Sequence, residues 1–179
     1  MKKLVVAIVA AFLMIGCSST PQEKSANKLI EMQMLKKKYI KDHIPAGMGI
    51  GVSTDEQQAL EKADQNARVD LAREINAQTK ALVKNFKEDV NDQVAEHFQS
   101  TSKTIVDAHL SGATLTDVQV ETDKDGHFKV YGVMALNSTL VEELVKSLQA
   151  AGIYDEAIAG KIRAAAGKAY AELDGETAK

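Results

Sequence analysis

The chain reads as an α+β domain, in which a small three-stranded, mainly antiparallel sheet packs on one long helix. The element order is strand, helix, strand, strand, helix, with an extra helix at each end. Three observations carry that reading. Gly47-Met48-Gly49-Ile50-Gly51-Val52 alternates glycine with an apolar residue, which is strand period. From Asp55 to about Ser100 there is neither Gly nor Pro, and apolar residues recur mostly every fourth position. Two alternating segments flank Asp123-Lys124-Asp125-Gly126, a hairpin turn. That order lets the sheet cover the apolar stripe of the helix.

The first element is residues 1–16. Lys2 and Lys3 precede an apolar run at 4–15, too short to span a bilayer, and Gly16 then precedes Cys17, the single cysteine. Met14-Ile15-Gly16-Cys17 resembles a bacterial lipobox, with Met14 where leucine is usual. The resemblance implies cleavage before Cys17 and acylation of its sulfur and amine. Several acyl chains on one residue anchor stably, whereas one chain binds only marginally. Ser18, where an aspartate would signal inner-membrane retention, gives the outer membrane, periplasmic face, as the expected location. Residues 17–27 are polar, hold Pro21, and are expected to be a lipidated tether.

An N-terminal helix is expected within 28–45, with Leu29, Met32, Leu35 and Tyr39 at helical spacing and Pro45 closing it. The domain proper is expected over 46–150. After the glycine strand, Ser53 or Thr54 caps the long helix. Its stripe runs through Leu60, Ala63, Ala67, Leu71, Ile75, Leu82, Phe86, Val90, Val94 and Phe98. Leu71, Ile75 and Phe86 are expected under the sheet. Unbroken, the helix would be ~65 to 70 Å long, so its far half would project beyond the sheet. Ser111-Gly112 ends the pattern. The next strand places its apolar residues at odd positions and then at even ones, a switch near Asp117 that predicts a bulge. Phe128, Val130, Gly132, Met134 and Leu136 share one face of the return strand. A short helix carries Leu140, Val141, Leu144, Val145 and Leu148. The C-terminal helix, within 151–179, has Ile158, Ile162, Ala165, Ala169 and Leu173 on one face and Gly160, Ala164, Gly167 and Ala171 on another.

Charge and composition remove several function classes. The formal charge of −3 becomes −5 once Lys2 and Lys3 leave with the signal, which gives no field for nucleic acid. Aromatics make up 4% of the chain and Trp is absent, so stacking platforms for sugars or single strands lose ground. The glycines lack the G-x-G-x-x-G spacing of a dinucleotide loop, and close approach of strand to helix is the better reading. Asp123, Asp125 and Gly126 match only a fragment of a calcium loop, and His127 and Phe128 already begin a strand. His43, His97, His109 and His127 are dispersed. No nucleophile elbow stands out, and no cofactor or metal is expected. Arg68, Asp70, Arg73 and Glu74 cluster on the long helix, either as surface pairs or with an arginine fixing helix to sheet.

From Gly47 to Leu148 the chain is similar to the LPP-twenty family of bacterial outer-membrane lipoproteins. The residues that carry this are Gly47-Met48-Gly49-Ile50-Gly51, Ala59-Leu60-Glu61-Lys62-Ala63, Ala67-Arg68-Val69-Asp70-Leu71-Ala72, and Phe128-Lys129-Val130-Tyr131-Gly132-Val133-Met134-Ala135-Leu136. The resemblance implies a small sheet-and-helix domain at the outer membrane, acting as a surface antigen or as an accessory of a flagellar basal body. It implies no enzyme activity and supplies no catalytic residues. Three functions therefore stand as alternatives: a lipid-anchored structural or interaction lipoprotein, a periplasmic carrier of an apolar ligand held between helix and sheet, and a hydrolase. For the first, Phe86, Val90, Val94 and Phe98 are the expected interaction residues, exposed past the sheet and serving a homo-oligomer or an envelope partner. Cys17 is the expected lipidation site.

Overall fold

The computed structural model describes residues 21–177 apart from 89, 91, 151 and 153–155. Cys17 and the signal segment lie outside the described residues. The elements are α1 (Pro21–Lys41), β1 (Ala46–Ser53), α2 (Glu56–Lys87), α3 (Asp92–Gly112), β2 (Leu115–Thr122), β3 (Phe128–Ala135), α4 (Leu140–Ala150) and α5 (Glu156–Thr177). Residues 21–27 are thus helical rather than tether, because Pro21 has a fixed φ suited to a first helical position and lacks only an N–H that would be unpaired there.

The sheet order is β1-β3-β2, antiparallel throughout, with Gly49 opposite Gly132 and Val120 opposite Val130. The expected irregularity in β2 falls between Leu115 and Asp117. The turn is built on Asp123, whose Oδ1 accepts the N–H groups of Asp125 at 2.9 Å and His127 at 2.8 Å. Gly126 takes the positive φ of 81° that such turns demand.

Both faces of β3 are covered. Val130 packs with Ala59 and Ala63 of α2, and Met134 enters the main core. Tyr131 and Val133 meet Met32 of α1 on the opposite face. The alternation in β3 located the first of these faces, while the second needed α1 folded across it.

Beneath β1 the glycines do what their spacing predicts. A Cβ on Gly47, Gly49 or Gly51 would lie 2.2, 1.9 or 1.9 Å from the carbonyl oxygens of Ala67, Ala63 and Ala59. Strand and helix are in backbone contact, which leaves no room for a ligand between β1 and α2.

Three details of the helix differ from expectation. Its N-cap is Asp55, with extended backbone and a side chain accepting from the Gln58 N–H at 2.9 Å, and not Ser53 or Thr54. Leu60 is 41% exposed, and the buried stripe starts instead on Ala59, whose small side chain fits under the glycines. The third difference is larger: the expected single helix is two, α2 and α3, separated at 88–91. In the stretch 88–92 the sequence places Asp89, Asn91 and Asp92, poor helix formers of a type whose side chains compete for backbone hydrogen bonds. The break folds α3 back so that Phe98 meets Phe86, with ring centroids 4.4 Å apart. Leu71, Ile75 and Phe86 are all buried, Phe86 near the end of α2 against Phe98 of α3.

α4 buries Leu140, Val141, Leu144, Val145 and Leu148. α5 joins the same core through Ala159, Ile162, Ala165, Ala166 and Ala169, packing on α2. Its other small residues, Gly160, Ala164, Gly167 and Ala171, face outward.

Candidate functional site

Of the expected site residues, Cys17 lies outside the described residues. Phe86, Val90, Val94 and Phe98 do come together, but inside the chain. Phe86 and Phe98 are fully buried, and Val90 and Val94 pack partly buried against the main core. The cover that the sequence reading found wanting is supplied by α3.

The charged cluster on α2 ties elements together. Arg68 donates to Leu110 O, to Ala113 O at 2.8 Å and to Asp64 at 3.1 Å, so it fastens α2 to the end of α3 and the approach to β2. Asp70 accepts from the Met48 N–H at 2.8 Å and from Lys36 Nζ at 2.6 Å, joining β1, α1 and α2. One turn back, Asn66 donates to Ile50 O at 2.8 Å, and one turn further, Lys62 donates to Val52 O at 3.0 Å. These three residues sit four apart on the helix and meet successive outward-pointing residues of β1, so the outer edge of that strand is occupied.

Among the described residues, Asp123, Asp125 and His127 place candidate metal ligand atoms within 4.8 Å of one another. The geometry is that of the turn. Asp123 Oδ1 already accepts two backbone N–H groups, Oδ2 lies 3.1 Å from His127 Nδ1, and the His127 N–H in particular holds this carboxyl below the usual carboxylate range.

The sequence reading missed a groove between α2 and α3, of about 700 Å³. Thr79, Val83 and Val106 contribute to its wall, and Lys80, Lys84, Lys87 and Lys103 line it as well. Glu96 and Asp107 are the only acids among its lining residues, and Lys84 also pairs with Glu172 of α5 at 3.2 Å. The available signal was the spacing of Lys80, Lys84 and Lys87 beside the apolar stripe. It carries meaning only once α3 lies alongside.

Where α1 leads into β1, His43 adopts φ 58° and stacks on Tyr170 of α5, with centroids 4.1 Å apart and planes within 6°. The Tyr170 hydroxyl is buried and makes no hydrogen bond among the described residues. Desolvation, with a smaller contribution from the negative charge of Glu142, pushes this phenol up to about 12. A folded value above the unfolded one means the neutral phenol favours the fold. That stabilisation is complete below about pH 10, the ordinary tyrosine value, and is lost as pH rises through about 12. Alkaline absorbance titration is therefore expected to show a late step that Tyr170→Phe removes. Because the hydroxyl has no partner to lose, that variant melts no lower than wild type.

Residues 34–134 match the family model for LPP20 lipoproteins, more than half of the 179 residues. The chain belongs to the LPP20 lipoprotein family. The LPP20 match begins within α1, takes in the glycine strand, the α2–α3 hairpin and β2, and ends in β3, leaving α4 and α5 outside. No curated protein matches the chain significantly. Among the described residues no helix of this LPP20 lipoprotein is long and apolar enough to cross a membrane.

Proposed function

We propose that this lipoprotein is a non-enzymatic interaction module, anchored in the outer membrane through Cys17, which serves an envelope assembly by binding an acidic protein surface in the α2–α3 groove. The observation that carries this is the groove itself: four lysines beside an apolar wall, in a chain of formal charge −3. Apolar contact with a complementary charged rim is the general anatomy of a protein interface. Family membership supports the lipid anchor. A second copy of this acidic chain and a separate envelope protein both meet the charge requirement.

Two substitutions separate anchor from contact. Cys17→Ser is expected to lose labelled palmitate and membrane fractionation. Lys80→Glu with Lys103→Glu is expected to keep both but to abolish cross-links formed in cells from a photoreactive residue at Gln99, another lining position. Palmitate entering Cys17→Ser at the wild-type level removes the anchor. Cross-links from Gln99 that persist at the same yield after charge reversal remove the groove as the contact surface.

A further inference from the structure

The two edges of the sheet are treated differently, and the difference points to a binding site. In β1 the Pro45 carbonyl accepts from the Leu136 N–H, so odd-numbered residues bond to β3 and Met48, Ile50 and Val52 turn their amide groups outward. Asp70, Asn66 and Lys62 occupy that edge.

On the opposite edge the Asp123 N–H donates to His127 O at 2.9 Å, so Gln119 and Glu121 bond to β3 and Val118, Val120 and Thr122 turn their backbone groups outward. The one side-chain bond there among the described residues is from Lys28 Nζ to Val120 O, at 2.9 Å. Val118 and Val120 are also 44% and 39% exposed.

α1 runs beside this edge. Between them lies a groove of about 390 Å³, lined by Met34 and Leu35 of α1 and by Val118 of β2, with Met34 66% exposed. Glu31, Asp117 and Lys38 also line it, and neither acid has an ion-pair partner among the described residues. An edge strand facing a helix across an apolar groove is the arrangement by which domains capture an extended peptide as an added strand.

We propose that the β2 edge and α1 together form a strand-capture site for an extended segment of another protein. The outward backbone groups of Val118, Val120 and Thr122 select an extended backbone over a helix or a lipid. Val118 and Val120 on one face, with Met34 and Leu35 on the other, select apolar side chains, and the two acids Glu31 and Asp117, against the single cation Lys38, favour a lysine or arginine over an acidic residue. The occupant is therefore a strand of apolar residues interspersed with basic ones. It displaces Lys28 from Val120 as it docks. A second copy fits less well, because its β2 would bring its own Asp117 and Glu121 to an edge that already carries acids.

The test uses the full-length protein in detergent and a fluorescent synthetic peptide of alternating valine and lysine, with an N-methylated peptide of the same sequence and charge as control. Expected are saturable binding of the first peptide, binding of the control weaker by about tenfold or more, and slowed hydrogen exchange at Val118, Val120 and Thr122. Val118→Pro removes an outward N–H and no ladder bond, and is expected to abolish binding with the thermal midpoint retained. Should that variant fail to fold, Val120→Lys provides the same test through a charge at the edge. Equal binding of both peptides, or no saturable binding, overturns the proposal. Self-association of the protein that is abolished by Val118→Pro makes a second copy the occupant, and also overturns it. Retained binding by Lys80→Glu with Lys103→Glu supports the edge as the site, whereas loss of peptide binding in that variant refutes it.

Discussion

Gly49→Ala is expected to abolish the cooperative thermal transition or to lower it severely, although it adds a single methyl group. The new Cβ would sit 1.9 Å from Ala63 O and 2.4 Å from Ala67 N, where ordinary contact begins at 3.4 Å. Both neighbours are helix backbone, so no side chain can swing aside. Relief requires β1 to lift from α2, and Gly47 and Gly51 hold the same strand to the same helix at either side. Overpacking in a core commonly costs about 1 to 3 kcal/mol, and a clash with backbone belongs at or above the upper end. Against a total stability of about 5 to 15 kcal/mol, that removes a large share of the fold. Gly160→Ala is the matched control. Nothing lies within 4 Å of its Cβ position in α5, so the better helix former raises stability, by up to about 1 kcal/mol. Circular dichroism melts of the two variants should therefore move in opposite directions. A Gly49→Ala midpoint equal to wild type would show that strand and helix are not in backbone contact.

Phe86→Ala is expected to cost about 3 to 5 kcal/mol, the range for a large aromatic removed from a core. Phe86 is fully buried and packs on Phe98 with the rings tilted by 40°, so truncation leaves a void at the turn joining α2 to α3 and an aromatic without its partner. Urea unfolding measures the loss. Phe98→Ala should show a comparable loss, and the double variant should cost less than the two added together, because the second truncation removes a contact already gone. Had these residues formed an exposed interaction surface, the same substitutions would change the mass of an assembly and leave the unfolding midpoint in place.

The candidate sites differ in how far the sequence reveals them. The sequence is compatible with Arg68 in a surface pair and with Arg68 fastening a second element, and the carbonyls of residues 110 and 113 beside it decide for the second. The β1 edge ties at Lys62, Asn66 and Asp70 are spaced four apart, yet nothing in that spacing distinguishes them from a solvated helix face. The lysine groove was hidden for the opposite reason. Its residues border a stripe that, past Phe86, has no cover within its own helix, and only the fold-back of α3 turns that border into a groove.

By itself the sequence determined what depends on neighbours along the chain. Glycine at alternate positions specifies a strand close to another backbone, Asp123 through Gly126 specifies a hairpin, the change of parity near Asp117 specifies the bulge, and the Leu-Val periodicity of α4 specifies its buried face. Tertiary structure decided the rest. The step of four through Leu82, Phe86, Val90, Val94 and Phe98 is equally compatible with one projecting helix and with two that fold together. Folding back is favoured because it takes two aromatic rings out of water, and no local signal records that gain. The covered second face of β3 likewise depends on α1, whose Lys28 reaches a carbonyl 92 residues away. The helical spacing of Leu29, Met32, Leu35 and Tyr39 marks a face to be buried, but not the distant strand that buries it. For that reason the grooves of this protein, which lie between such segments, became visible only in the folded molecule.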